Sequence, residues 1–199
     1  MEKGKSKREN ERNHVVKILV IGCILVALLV GFYYYVSHKM SASGSEDTGT
    51  ITKTQQVLIR NLETNYPPSP KEVIKYYCEI TRCFYNETHT DEELRELAAQ
   101  IQLLYDDELV ANQTKEDYMQ NLISDIASMQ KQGLVISSYS TSASTDVEYF
   151  TEDGFDWARM YCNFSLRKET TIINTNERFL LRKDDEGHWK IFGWELVEE

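Results

Sequence analysis

The amino-acid sequence predicts an α+β domain of about three helices packed on a curved antiparallel sheet, carried behind an N-terminal transmembrane helix. Three observations predict it. An uncharged run of 19 residues fills positions 18–36, three capped amphipathic segments fill 69–133, and beyond Gly133 the apolar period changes from helical to alternating.

The run "ILVIGCILVALLVGFYYYV" is long enough to cross roughly 30 Å of hydrocarbon as a helix. Tyr33, Tyr34 and Tyr35 stand at its far end, where an aromatic belt meets lipid headgroups. Six Lys/Arg precede the run and only Lys39 closely follows it. The positive-inside bias therefore places the N-terminus in the cytoplasm and the rest outside, a single-pass cell-membrane protein whose first partner is the lipid bilayer. A cleavable signal peptide has a shorter apolar core. "VIGC" at Val20–Cys23 looks like a lipobox, but the apolar run continues well past Cys23.

Charge divides the chain in the same place. Residues 1–39 hold seven Lys/Arg against three Glu, whereas the remainder holds fifteen basic against twenty-nine acidic groups. An exported body this acidic, with no basic stripe, is not expected to bind nucleic acid. The organisation that follows is a basic cytoplasmic tail at 1–17, the signal anchor at 18–36, a Ser/Gly/Thr-rich flexible linker at 37–50, a short helix-bearing segment at 51–66 and a domain at 67–199.

Within the domain, Ser69-Pro70-Lys71-Glu72 joins a capping pair to a proline at the first helical position and starts a helix that ends near Asn86. Val73, Ile74, Tyr77, Ile80, Thr81 and Phe84 share one of its faces. Thr90 with Glu93 opens a second helix, whose stripe is Leu94, Leu97, Ala98, Ile101 and Leu104. Thr114 caps a third, with Tyr118, Leu122, Ile126 and Met129 inward and Gly133 as its stop. Strands are expected at about 134–142, 146–151, 155–168, 170–183 and 188–198, with "EDGFD" and "DDEGH" as turns. In the third, Ala158, Met160, Cys162, Phe164 and Leu166 form the core face, and Trp157, Arg159, Tyr161 and Asn163 the opposite one.

"SPKEVIKYYCEI" followed by a long meander ending in "GHWKIFGWEL" resembles the nuclear transport factor 2-like superfamily, the cone-like fold shared with ketosteroid isomerase. Trp189, Ile191 and Trp194 match the Trp-x-Ile and following aromatic of its last strand. "NYPPSPKEVIKYY", "CFYNETHTDEEL" and "RKDDEGHWKIFGW" further resemble an uncharacterised family of membrane-anchored proteins in gut clostridia and related Gram-positive bacteria. The resemblance implies a fold and a compartment, and it carries no activity.

Candidate pocket residues are Tyr77, Tyr105, Asp106, Tyr161 and Trp194, because an isomerase-type cone uses a carboxylate with tyrosines in an apolar pocket. The plainer reading solvates Asp106 and Asp107 near a helix end while Tyr105 packs. No metal site is expected from His89 and His188, which fall at turns, and no cofactor loop or nucleophile elbow is present. Cys78, Cys83 and Cys162 are expected as buried free thiols.

Three functional readings follow: a non-catalytic binding or assembly module, a small-molecule binder or isomerase/cyclase-like enzyme using the cone cavity, or a structural part of a conjugation or type IV secretion-like channel. An envelope protein, a small apolar ligand and a second copy docked through the sheet face are the candidate partners. Alternation in the last strand sets Trp189, Ile191 and Gly193 on one face, opposite Phe192, Trp194 and Leu196. Which face meets the helices decides whether Trp194 is core or contact.

Overall fold

The computed structural model describes residues 51–197. The apolar run at 18–36, with Tyr33, Tyr34 and Tyr35, and the linker at 37–50 lie outside the described residues. Among the described residues no helix is long and apolar enough to cross a membrane. A compact unit begins at Ile51 and is α+β, with five α-helices and one antiparallel sheet.

Helix α1 spans Lys53–Leu58 behind a reciprocal capping box between Thr52 and Gln55. It belongs to the core, since Val57 is buried and its carbonyl accepts from the Tyr76 hydroxyl at 2.8 Å. Helix α2, Pro70–Asn86, starts where the sequence places it. The Ser69 hydroxyl accepts from the Glu72 N–H, Pro70 fills the first turn, and Val73, Ile74, Tyr77, Ile80 and Phe84 are buried. At its far end Asn86 ties the helix to the sheet by donating to the Ile136 carbonyl at 2.7 Å and accepting from the Ile136 N–H at 2.9 Å.

Helix α3, Asp91–Gln102, carries the Thr90–Glu93 capping box and buries Leu94, Leu97, Ala98 and Ile101. A short helix, α4 at Asp107–Ala111, is one the sequence reading does not contain. It starts from Asp106, whose side chain accepts from the Glu108 N–H at 3.0 Å. Helix α5, Lys115–Gln132, runs from the Thr114 cap to Gly133, which ends it at φ 65°, a conformation that favours glycine.

The strands are β1 Leu134–Thr141, β2 Glu148–Glu152, β3 Phe155–Lys168, β4 Thr171–Lys183 and β5 Trp189–Leu196. Their order is β1-β3-β4-β5, all antiparallel, and β2 shares with β1 the same edge of the long β3. The face bearing Ala158, Met160 and Cys162 on β3 and Phe179 and Leu181 on β4 is fully buried under the helices. Burying each of these larger side chains contributes about 1.5–3 kcal/mol. Cys78 of α2 meets Cys162 across this layer with sulfurs 3.4 Å apart, and Cys78, Cys83 and Cys162 are all free and buried.

Simple alternation fails in β5. Ile191 opposes Leu181 and Gly193 opposes Leu180, so Phe192 is an extra residue and the strand bulges there. The bulge resets the phase. Ile191 and Trp194 both point to the helix-covered face, while Phe192 turns to the other side, its ring 5.1 Å from that of Trp157. The loop before α4 then lines the free edge of β5: Ile191 N–H donates to Leu104 O at 2.8 Å, and Asp106 N–H to Ile191 O at 2.9 Å.

Candidate functional site

Between α2, α5 and the ends of β3, β4 and β5, the layers leave a cleft instead of a packed seam. Helical spacing brings Tyr77, Thr81 and Tyr85 of α2 to one wall, since residues four apart share a face. Asp125, Ser128 and Met129 of α5 form a second wall. The floor is strand: Phe164 and Leu166 of β3, Thr175 and Glu177 of β4, and Trp194 and Leu196 of β5. Its volume is about 520 Å³. An adjoining pocket of about 220 Å³ shares Tyr77, Thr81, Tyr85, Asp125 and Trp194, and reaches Tyr105 and Tyr118. Each volume falls within or just below the range of small-molecule sites.

Four aromatic rings meet at the junction. Trp194 lies 5.7 Å from Tyr77, 5.9 Å from Tyr105 and 5.9 Å from Phe179, and Tyr77 meets Phe179 edge-on at 5.3 Å. Trp194 nevertheless keeps 42% of its surface exposed, so it forms a rim of the cleft as well as the end of the core. Its outward part is the available contact.

Glu177 is the unusual member. In β4 it alternates in phase with Phe179 and Leu181, so the strand delivers a carboxylate to the apolar face. Its Oε2 is buried and has no hydrogen-bond partner among the described residues. Burial pushes its pKa up to about 7, because a desolvated carboxylate resists ionisation. The tyrosines around it shift upward too. Tyr77 is held well above its ordinary value, first by burial and then by the neighbouring Glu177 charge. Burial, followed by Asp125 and Glu177, raises Tyr85. Tyr105 rises well above its ordinary value through burial and the adjacent Tyr77 and Tyr118, and burial takes Tyr118 to about 12. All four phenols are therefore neutral hydrogen-bonding groups at physiological pH.

The chain matches, over residues 1–194, the family described as Domain of unknown function (DUF6715). It belongs to that family. No curated protein matches this DUF6715 chain.

Of the five pocket candidates read from the sequence, Tyr77 and Trp194 line the cleft, Tyr105 joins them in the adjoining pocket, and two do neither. Asp106 is buried at 4% exposure, so it is neither solvated nor in the cleft. Its two oxygens accept from Arg182 at 2.6 and 2.9 Å, on the opposite side of β4, and Glu108 adds a contact at 2.8 Å from Arg182 Nη1. The same guanidinium sits over the rings of Phe155, Phe192 and Trp157, at 4.8, 5.1 and 5.6 Å. Asp107, by contrast, is exposed. Tyr161 falls on the uncovered face of β3 beside Arg178, its cross-strand partner, as the parity of that strand requires. It cannot line the cleft.

The residues that sequence reasoning missed are Glu177, Tyr85, Tyr118 and Asp125. A signal for Glu177 exists in "TNERFLLRK", where an acid takes an alternate position that Phe179 and Leu181 define as core. Tyr85 and Asp125 carry no comparable mark, because the cleft forms only where residues of two helices distant in sequence come together over the sheet. Among the described residues no group of three or more His, Cys, Asp or Glu is gathered as a metal would need.

Proposed function

We propose that this chain is a membrane-anchored, extracytoplasmic binding module whose domain is a cone of the nuclear transport factor 2-like kind, and that its cleft holds a small molecule. The observation that carries the proposal is Glu177: its side chain lines an aromatic cleft, and one of its carboxylate oxygens is buried without a partner. An unsatisfied buried polar group costs about 1–3 kcal/mol. Such a defect on the floor of a small-molecule-sized cleft is what a bound ligand repairs. The helix-covered antiparallel sheet and the "GHWKIFGWEL" strand support the cone. The uncharged run at 18–36 and its basic flank support the anchor and the outward orientation.

Ligand-observed NMR on the full chain in detergent micelles, against small aromatic alcohols, acids and amines, tests the binding reading. Binding that is abolished by Thr175→Trp, which fills the floor, is the expected result. If no compound binds the native chain, the proposal fails. Protease added to intact cells should cut within residues 37–50 and release the domain; full protection would overturn the orientation.

One observation favours a second reading, proton transfer. A carboxyl with pKa near 7 is matched to general-base work at neutral pH, and Tyr77 and Tyr85 beside it are neutral donors. Deuterium exchange of an acidic C–H in a bound cyclic ketone, lost in Glu177→Gln, distinguishes catalysis from binding.

A further inference from the structure

The lining of the cleft is one-sided in charge. Glu177 and Asp125 face it, and no lysine or arginine lines either pocket among the described residues. The remaining lining is aromatic, aliphatic or neutral polar, with the rings of Tyr77, Tyr85 and Trp194 shared by both pockets. An anionic ligand would meet two carboxylates and no counter-charge. A divalent metal would find only two acids where it needs a fuller oxygen cage. An ammonium group gains from both features of the lining, because a carboxylate neutralises it and aromatic faces attract it.

We infer that the ligand is an organic cation: an ammonium centre, primary to quaternary, on a flat apolar body, with the positive charge at Glu177 and the body against Tyr77 and Trp194. The inference rests on the small-molecule reading above and names its ligand class. An ammonium compensates the Glu177 carboxylate in a way no neutral alcohol does, since a neutral donor leaves the carboxylate without a counter-charge at the cleft.

The site also acquires a pH signature. Facing Glu177 are Tyr77, Cys78 and Tyr85 of α2, Asp125 of α5 and Cys162 on the neighbouring β3. Cys78 and the two tyrosines are pushed upward by burial and stay neutral. Glu177, held near 7, must lose its proton to receive the cation, so affinity rises with pH up to about 7 and then levels.

Calorimetric titration of the full chain in micelles tests this with four probes of one size: benzyltrimethylammonium, benzylamine, benzyl alcohol and phenylacetate. The two ammonium probes should bind at least about tenfold more tightly than the alcohol, and phenylacetate weakest. Glu177→Gln, a shape-conserving change, should bring the ammonium probes down to the alcohol's affinity, while Asp125→Asn lowers them by less. Equal affinity for alcohol and ammonium, or ammonium binding untouched by Glu177→Gln, overturns the cation inference and leaves a small-molecule cleft standing. Binding by none of the four, together with no hit in the wider NMR set, removes both.

Discussion

Strand β4 carries two acid-linked centres on its two faces, and they are opposites. On one face Arg182 is held by Asp106 through two charge-assisted bonds and by Glu108 through a third. On the other, five residues earlier, Glu177 is half-buried, with one buried oxygen that nothing in the described chain satisfies. Asp106 has left water and is compensated; the buried oxygen of Glu177 is not compensated. The Asp106 carboxylate ties the loop before α4 to β4, whereas Glu177 is the acid on which the proposed ligand site rests. Burial of an acid alone does not mark a functional site; an uncompensated acid lining a cleft makes a candidate for one.

The largest effect should come from breaking the compensated side. Asp106→Asn keeps the cap on α4, because asparagine caps as well as aspartate, but it removes the charge facing a guanidinium only 15% exposed. Losing one partner of a buried pair costs about 3 kcal/mol, read as a lowered urea midpoint at unchanged slope. A loss no larger than that of an exposed pair would show that Arg182 is solvated and that the contrast between the two faces is false.

Glu177→Gln should do the reverse and stabilise the free protein. Its folded pKa, about 7, lies above the ordinary 4.5, so the folded state holds a proton that the unfolded state gives up. No penalty exists below about pH 4.5; it grows between 4.5 and 7 and is complete above 7. After a discount for solvent screening of this half-buried side chain, the gain at pH 8 is about 1–2 kcal/mol and vanishes near pH 4. Equal stability of the two proteins at both pH values would mean that Glu177 is satisfied after all.

The same contrast explains what the sequence could reveal. Helix starts at Ser69, Thr90 and Thr114, the stop at Gly133 and both ends of β3 depend on chemistry between residues a few positions apart, and they emerge from local pattern. Asp106 reads as a solvated helix-end residue because its partner, Arg182, lies 76 positions away. Trp194 reads as opposite to Ile191 because nothing local announces the extra residue at Phe192. Tyr77 and Trp194 were legible as pocket residues through their types, but the cleft itself arises from how α2 and α5 pack over the sheet. Glu177 lay between: strand parity pointed to the core face, and only packing revealed that no partner waited there.

The smallest effect sharpens the boundary of the compensated centre. Glu108 touches the same guanidinium as Asp106, at 2.8 Å, yet its side chain is 65% exposed. Water screens that contact and the long side chain loses entropy to hold it, so Glu108→Ala should cost no more than about 0.5 kcal/mol. The loss should also shrink in about 1 M salt, where the screening length falls to roughly 3 Å, about the length of this contact. The Asp106→Asn deficit should persist there, because protein rather than electrolyte surrounds that pair. Two acids on one arginine thus form an internal control, and a salt-independent Glu108 effect would mean that α4 closes over Arg182 and that burial there extends further than the geometry gives.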